Sequence, residues 1–267
     1  MNIFEKLYRN AVFFIGDVKR LDSFPWITWA SNKHKVHFEE LLEALPLIRH
    51  GDVGIHRDEG YLSNIAIPGF MKHAWIHTDD CFAEKGTISV KSSDDLANNS
   101  PMIVEAISEG VVYRSALYPM YSDYAIILRP LEVSTKSCRG ACKKAKGIIG
   151  TRYDHNFKFD IENELIYYNG ADVSKAKEEL GAGLEHMQKY DHGFSCTEVV
   201  SYAWWHEREK LRLYREKSRG KDIILADSFL NGGFEIVWMS KSITVDCAKK
   251  MGLHEEGIEM IKKYLSR

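Results

Sequence analysis

Six short stretches, each apolar throughout or alternating apolar with polar, narrow the folds open to this chain. They are the end of Gly51-Asp52-Val53-Gly54-Ile55, then Ala74–His77, Ile103–Ala106, Gly110–Arg114, Tyr124–Leu128 and Glu235–Met239. Runs this short, bounded by turn residues, favour strands over helices. Helical spacing falls elsewhere, at 3–15, 36–48, about 136–149, 172–189, 196–216 and 254–266. In the second of these, Phe38, Leu41, Leu42, Leu45 and Leu47 gather mainly on one side. The order is helix, several strands, helices, one more strand, helix. Such segregation predicts an α+β fold with an antiparallel sheet rather than a regular βαβ weave. Between Asp79 and Pro101 the chain is polar, with Asp94-Asp95 and Asn98-Asn99-Ser100-Pro101, which predicts a surface loop or hairpin.

A chain of 267 residues is long enough for one substantial core, so one domain with appendages is expected. A net charge of -2 argues against a general nucleic-acid binder. The one basic cluster, from Arg208 through Lys210, Arg212, Arg215, Lys217 and Arg219 to Lys221, is interleaved with Glu207, Glu209, Glu216 and Asp222. It reads as a solvated helix face, with an anionic-ligand patch as the lesser alternative. The five cysteines, Cys81, Cys138, Cys142, Cys196 and Cys247, are odd in number and show no regular framework. That fits a reducing, cytoplasmic setting. The N-terminus does not look like a signal peptide. Its apolar run Ala11–Ile15 is too short for a signal core or a membrane span, so no integral membrane segment is expected.

The strongest local signal is Gly193-Phe194-Ser195-Cys196-Thr197-Glu198-Val199-Val200. Ser195 followed three positions later by Glu198 is a capping box, the reciprocal pairing that opens a helix. Cys196 then takes the first helical position, where unpaired N–H groups and the positive dipole end favour a thiolate. The plainer alternative is a buried structural cysteine. A nucleophilic thiol needs a base within hydrogen-bond reach, and the base needs a third group to hold its ring. His73 stands at a strand start after the loop Pro68-Gly69-Phe70. His77, four residues on and on the same face, is the competing base. Glu105 is a lone carboxylate inside the apolar run Met102–Ile107, where a charge must be paired or reach a cleft. A strand with one face in water is the other reading of that run.

Four ordered pieces resemble the NlpC-type papain-like superfamily, specifically its circularly permuted YiiX-like branch. Gly51-Asp52-Val53-Gly54-Ile55 is similar to the strand that opens the domain, and His73-Ala74-Trp75-Ile76 to the strand with the family's histidine. Val104-Glu105-Ala106 followed by Gly110-Val111 is similar to the strand with the polar third member. Ser195-Cys196-Thr197-Glu198-Val199-Val200 resembles the start of the helix that bears the nucleophile. Gly150-Thr151-Arg152-Tyr153-Asp154 with Phe159-Asp160, and Asp227-Ser228-Phe229 with Phe234–Val237, are supporting pieces. The resemblance spans about residues 48–240, with an insertion at about 163–192. It leaves an N-terminal helical extension (1–47) and a C-terminal helical tail (241–267).

The resemblance implies a papain-like core of permuted order, its antiparallel sheet packed against the nucleophile helix. It implies a cysteine hydrolase that forms an acyl-thioester on Cys196, with His73 as base and Glu105 holding the imidazole. Tyr153 would line the site or polarise the carbonyl oxygen, and the N–H of Cys196 would serve the oxyanion. The bond cleaved would be an amide, peptide or N-acyl, with no cofactor. A degraded lipid- or peptide-binding module is the alternative, as is a lipid acyl hydrolase or acyltransferase. Departures from the pattern are Lys72, where the family tends to have Ser, and the insertion, a candidate lid or specificity wall.

Cys138 and Cys142, four apart, share a helix face but lack the four ligands of a structural zinc, so no metal is expected. His73 and His77 lack the Glu between them that a metalloprotease helix carries. Tyr202, Trp204 and Trp205 are divided between core and cleft wall.

Overall fold

Strand pairing joins the six apolar stretches into one sheet. The computed structural model describes residues 18–20, 27–29, 34–61, 64, 67, 69–79, 100–154, 193–218 and 221–267. After a hairpin of β1 (Val18–Arg20) and β2 (Ile27–Trp29) come helix α1 (Phe38–Ala44), β3 (Val53–Arg57), β4 (His73–Asp79), β5 (Met102–Ile107) and β6 (Gly110–Ser115). Then follow α2 (Leu117–Met120), β7 (Tyr124–Pro130), α3 (Thr135–Gly147) and α4 (Cys196–Trp204). The hairpin β8 (Glu216–Ser218) and β9 (Lys221–Ile223), strand β10 (Phe234–Met239), α5 (Val245–Lys250) and α6 (Glu255–Leu265) complete the chain. The main sheet has six antiparallel strands in the order β10-β7-β3-β4-β5-β6. The architecture is α+β.

Side chains alternate across this sheet with period two, and both faces are covered. Val53, Ile55, Ala74, Ile76, Val104, Ala106, Ile126 and Leu128 enter the larger core, beneath α3 and α4. Trp75, Ile103, Ala125 and Ile127 face the other way, under Leu41, Ala44 and Leu45. Two-sided burial is why these strands read as near-continuous apolar runs. Gly54 allows the second layer to form. A Cβ there would lie 1.9 Å from the ring of Trp75, its cross-strand neighbour.

Helix α4 is apolar nearly all round, with Val199, Val200, Tyr202, Ala203 and Trp204 buried. Each of the two valines, fully buried, is worth about 1.5–3 kcal/mol. Trp204 also donates its indole N–H to the Gly51 carbonyl at 3.2 Å. Tyr202 and Trp204 are thus core, while Trp205 is half-buried, flanked by Arg208 and Arg215 at 5.0 and 5.6 Å from its ring. The helix expected over 196–216 ends at Trp204 and passes into a 3-10 turn, Trp205–Glu207. Beyond Trp204 no apolar stripe continues. Leu211 and Leu213, two apart, are both buried, and Arg212 between them takes a φ of 52°. The described part of the basic cluster therefore lies along turns and strands β8 and β9, not on one helix face.

The expected helices at 36–48, 136–149 and 254–266 correspond to α1 with its 3-10 extension Leu45–Leu47, to α3 and to α6. Ala248, Leu253, Ile258 and Ile261 of the C-terminal segment join the larger core. Helices expected at 3–15 and 172–189, the insertion at 163–192, the polar stretch from 80 to 99, Cys81 and Phe159-Asp160 lie outside the described residues. No described helix is long and apolar enough to cross a membrane.

Candidate active site

At the start of β4 the chain is held by a residue distant in sequence. The Asp227 carboxylate accepts the N–H of Phe70 at 2.5 Å and of Met71 at 2.6 Å, just ahead of Lys72 and His73. Two backbone bonds to one buried carboxylate fix where the imidazole of His73 begins. Burial is also the main reason the Asp227 carboxyl stands above its ordinary value.

His73 then meets Glu105. Its Nε2 lies 2.6 Å from Glu105 Oε2, and Arg114 Nε bonds the other carboxylate oxygen. Glu105 is completely buried, His73 one-fifth exposed and Arg114 about one-third. The register explains the trio. Glu105 pairs with Trp75 on β4 and with Val112 on β6, so His73 and Arg114 each stand two residues along a neighbouring strand on the same face. Such diagonal neighbours lie within reach of long side chains.

The other side of the imidazole faces Cys196. The capping box forms as expected, with Ser195 N–H donating to Glu198 Oε2 at 2.6 Å. It sets Cys196 at the first position of α4, where the N–H groups of the opening turn have no intrahelical acceptor. The sulfur lies 4.0 Å from the Lys72 carbonyl, 6% exposed, and within hydrogen-bonding reach of His73. With Nε2 committed to Glu105, Nδ1 is the ring nitrogen left to exchange a proton with the sulfur.

These contacts decide the charges. Burial by itself lowers an imidazole's pKa. The Cys196 sulfur and then the Glu105 carboxylate outweigh burial and hold His73 up at about 10. Burial likewise pushes Glu105 up, yet His73 and Arg114 pull it down to about 2. Glu105 is therefore a carboxylate and His73 an imidazolium across neutral pH.

Tyr153 is carried to the same place by a close backbone approach. Phe194 N–H donates to the Arg152 carbonyl at 2.9 Å, and Arg152 bridges Gly193. A Cβ on Gly193 would lie 2.7 Å from the backbone of Tyr153 and Asp154, so only glycine allows this contact. Tyr153 feels the charges of Cys196, Glu198 and Asp154, while burial is the chief reason its phenol stays protonated. Asp154 and Glu198 are both buried. Burial first, with the nearby Asp154 charge adding, lifts the Glu198 carboxyl to about 8.

Cys196, His73 and Glu105 thus come together, and the fourth expected site residue, Tyr153, lies close enough to feel the Cys196 charge. His77 does not join them. It lies at the far end of β4, where its carbonyl accepts the Cys142 thiol at 3.3 Å. Arg114 and His56 carry no local site signal in the sequence, and Asp154 and Asp227 stand there only within the supporting pieces, without a role. Arg114 was findable, since the turn at Ser108-Glu109 pairs Ile107 with Gly110 and brings Arg114 onto the face of Glu105. His56 pairs with His73 across β3–β4, with ring centroids 4.8 Å apart. Burial, and then the His73 charge, hold it neutral, at about 3. Both rings line a cavity of about 190 Å³ with Tyr61, Asn64 and Lys72.

His34, Asp58 and Asp123 bring possible metal-ligating atoms within 4.8 Å of one another. Protein contacts already engage all three. His34 Nδ1 lies 3.1 Å from Asp58, and Asp123 accepts the N–H groups of Lys35 and Glu59 at 3.1 and 2.7 Å. The group ties the segment at 34–35 to the end of β3.

Comparison of the chain with protein-family models, with curated proteins and with solved structures finds no match.

Proposed function

We propose that the protein is a cysteine hydrolase that cleaves an amide bond, peptide or N-acyl, through an acyl-thioester on Cys196. One observation carries the reading: a single imidazole, His73, stands between a helix-opening thiol and a buried carboxylate. That is the arrangement of an activated nucleophile, with base and orienting group in line. In this reading the chain is a papain-like hydrolase of permuted order, as its motifs resemble.

The chemistry follows from the placement. With the thiol proton transferred to His73, the sulfur adds to the carbonyl carbon, moving the C=O electron pair onto oxygen. The N–H of Cys196 and the hydroxyl of Tyr153 supply donors for that oxyanion. Collapse expels the amine, which takes the proton from His73 and leaves the acyl-thioester. Water then adds, giving its proton to His73. The second collapse releases a carboxylic acid, and the sulfur leaves as the thiol once the proton returns. Glu105 holds the ring and its charge throughout, and Arg114 keeps Glu105 ionised.

Competitive alkylation tests this. Iodoacetamide at limiting dose should label Cys196 well ahead of the other cysteines, read by peptide mass spectrometry. Burial keeps Cys138 above the ordinary thiol value and lifts Cys142 to about 12, so neither competes as a thiolate. His73→Ala should abolish the preference, with loss of about a thousandfold in hydrolysis of any amide substrate found. Equal labelling of all the cysteines in the unmodified protein would sink the reading in favour of a binding module.

A further inference from the structure

At the opposite end of β4 from His73 lies a larger cavity, of about 1040 Å³, that the proposed chemistry does not use. Its walls are the turn at 46–50, the ends of β4 and β7, and one side of α3. Cations dominate it. Arg129 is tied to Asp52, its Nε at 3.0 Å from Oδ1 and its terminal nitrogen at 2.7 Å from Oδ2, and Lys146 to Asp79 at 2.7 Å. Those pairs neutralise themselves. Arg49, Arg139 and Lys143 are exposed and have no ion pair among the described residues. Arg139 and Lys143 are four apart on α3, so they stand one above the other on the cavity side. They flank Cys138 and Cys142 along the helix.

A buried group supplies the second observation. His77 lines the cavity, is 1% exposed, and neither of its ring nitrogens has a hydrogen-bond partner among the described residues. The backbones of Arg49 and Asp79 are close enough to raise its pKa by weak hydrogen bonding, though less than burial lowers it. A buried polar side chain left unpaired costs roughly 1–3 kcal/mol, so an unpaired imidazole at a cavity wall needs a reason. A neutral imidazole carries one N–H donor, and burial holds His77 neutral here, at about 4. Three cations with no ion pair among the described residues, on the walls of one cavity with an N–H donor, form a receptor for anionic oxygens.

We propose that this cavity is a second ligand site, which binds a phosphate group through Arg49, Arg139, Lys143 and the ring N–H of His77. It does not depend on the thiol chemistry at the other end of the strand. The phosphate could belong to a soluble phosphate ester or to a phospholipid headgroup, and the recognising chemistry is the same for both.

The test uses the full chain with two probes, inositol hexakisphosphate and vesicles of phosphatidylcholine with or without phosphatidylinositol phosphate. At low salt the soluble probe should raise Tm and shift the His77 ring resonance, or the phosphorylated vesicles should carry the protein down on sedimentation. The first result assigns a soluble ester and the second alone a headgroup. The double variant Arg139→Glu/Lys143→Glu alters exposed residues and should fold. It should weaken either binding by at least about tenfold, because two attractions become repulsions. His77→Phe should weaken binding while leaving its salt dependence intact. Binding of neither probe, or binding that the double variant leaves unchanged, would overturn the proposal.

Discussion

His73 and His77 are both histidines on the same strand and the same face, four positions apart, yet at neutral pH only His73 is charged. His73 is held up at about 10, whereas His77 is pushed down to about 4. The strand does not distinguish them, since both are largely buried. Their neighbours do. Glu105, paired with Trp75, reaches diagonally to His73, but the residue directly opposite His77 is the buried Ile103. With no strong counter-charge, desolvation wins and the imidazole stays neutral. With a buried carboxylate and a sulfur, desolvation loses. A competing base in the sequence thus becomes, in the fold, part of a different cavity.

The comparison breaks most severely if Glu105 is neutralised. Glu105→Gln should destabilise the fold by about 3 kcal/mol, because it leaves Arg114 and His73 without the buried charge that both face. The same change should bring His73 down toward His77. Denaturant unfolding reads the first effect and an imidazole NMR titration the second. An unchanged His73 titration would mean that the carboxylate does not set the difference.

A pH series sharpens the contrast. His73 has a folded pKa near 10, raised above its unfolded value of about 6.5. Its contribution to stability is fully present below about 6.5 and is lost as pH rises through 10. Glu105 is depressed to about 2, so its contribution is present above its unfolded value of about 4.3 and is lost as pH falls through 2. The destabilisation caused by His73→Ala should therefore be largest near pH 6 and shrink steadily toward pH 10, measured as Tm against pH. His77→Ala should show no such decline above pH 7, because His77 is neutral there in both states.

The smallest expected effect concerns Glu198. Its carboxyl is raised to about 8, so the carboxyl contributes stability below its unfolded value of about 4.3 and loses it as pH climbs through 8. Glu198→Gln keeps a capping-box acceptor and removes the charge. It should leave Tm nearly unchanged at pH 4 and raise it modestly at pH 9. A fall at pH 9 would show that the ionised form is stabilised by a group other than those named.

Much of the scaffold was legible because its signals are local. The six strand runs, the capping box before Cys196 and the helices around Phe38–Leu47, Thr135–Gly147 and Glu255–Leu265 depend on spacing within a dozen residues. Local signals also overran. The helix from Cys196 stopped at Trp204 because Leu211 and Leu213 both had to reach the core, a demand that charge spacing does not announce. Arg114 was within reach of register reasoning, but Asp227 was not. Its two bonds to Phe70 and Met71 cross more than 150 positions and are made by backbone, which leaves no pattern in side chains.

The order of residues by itself determined where the six strands of the main sheet lie, and that a cysteine opens a helix. Short-range sterics, capping and the alternation of apolar residues are sufficient for that. Only the tertiary structure decided which imidazole meets the sulfur, which carboxylate charges it, and which histidine stays neutral. Charge in a protein interior is set by what lies within a few ångströms, and those neighbours come from strands and loops far apart along the chain.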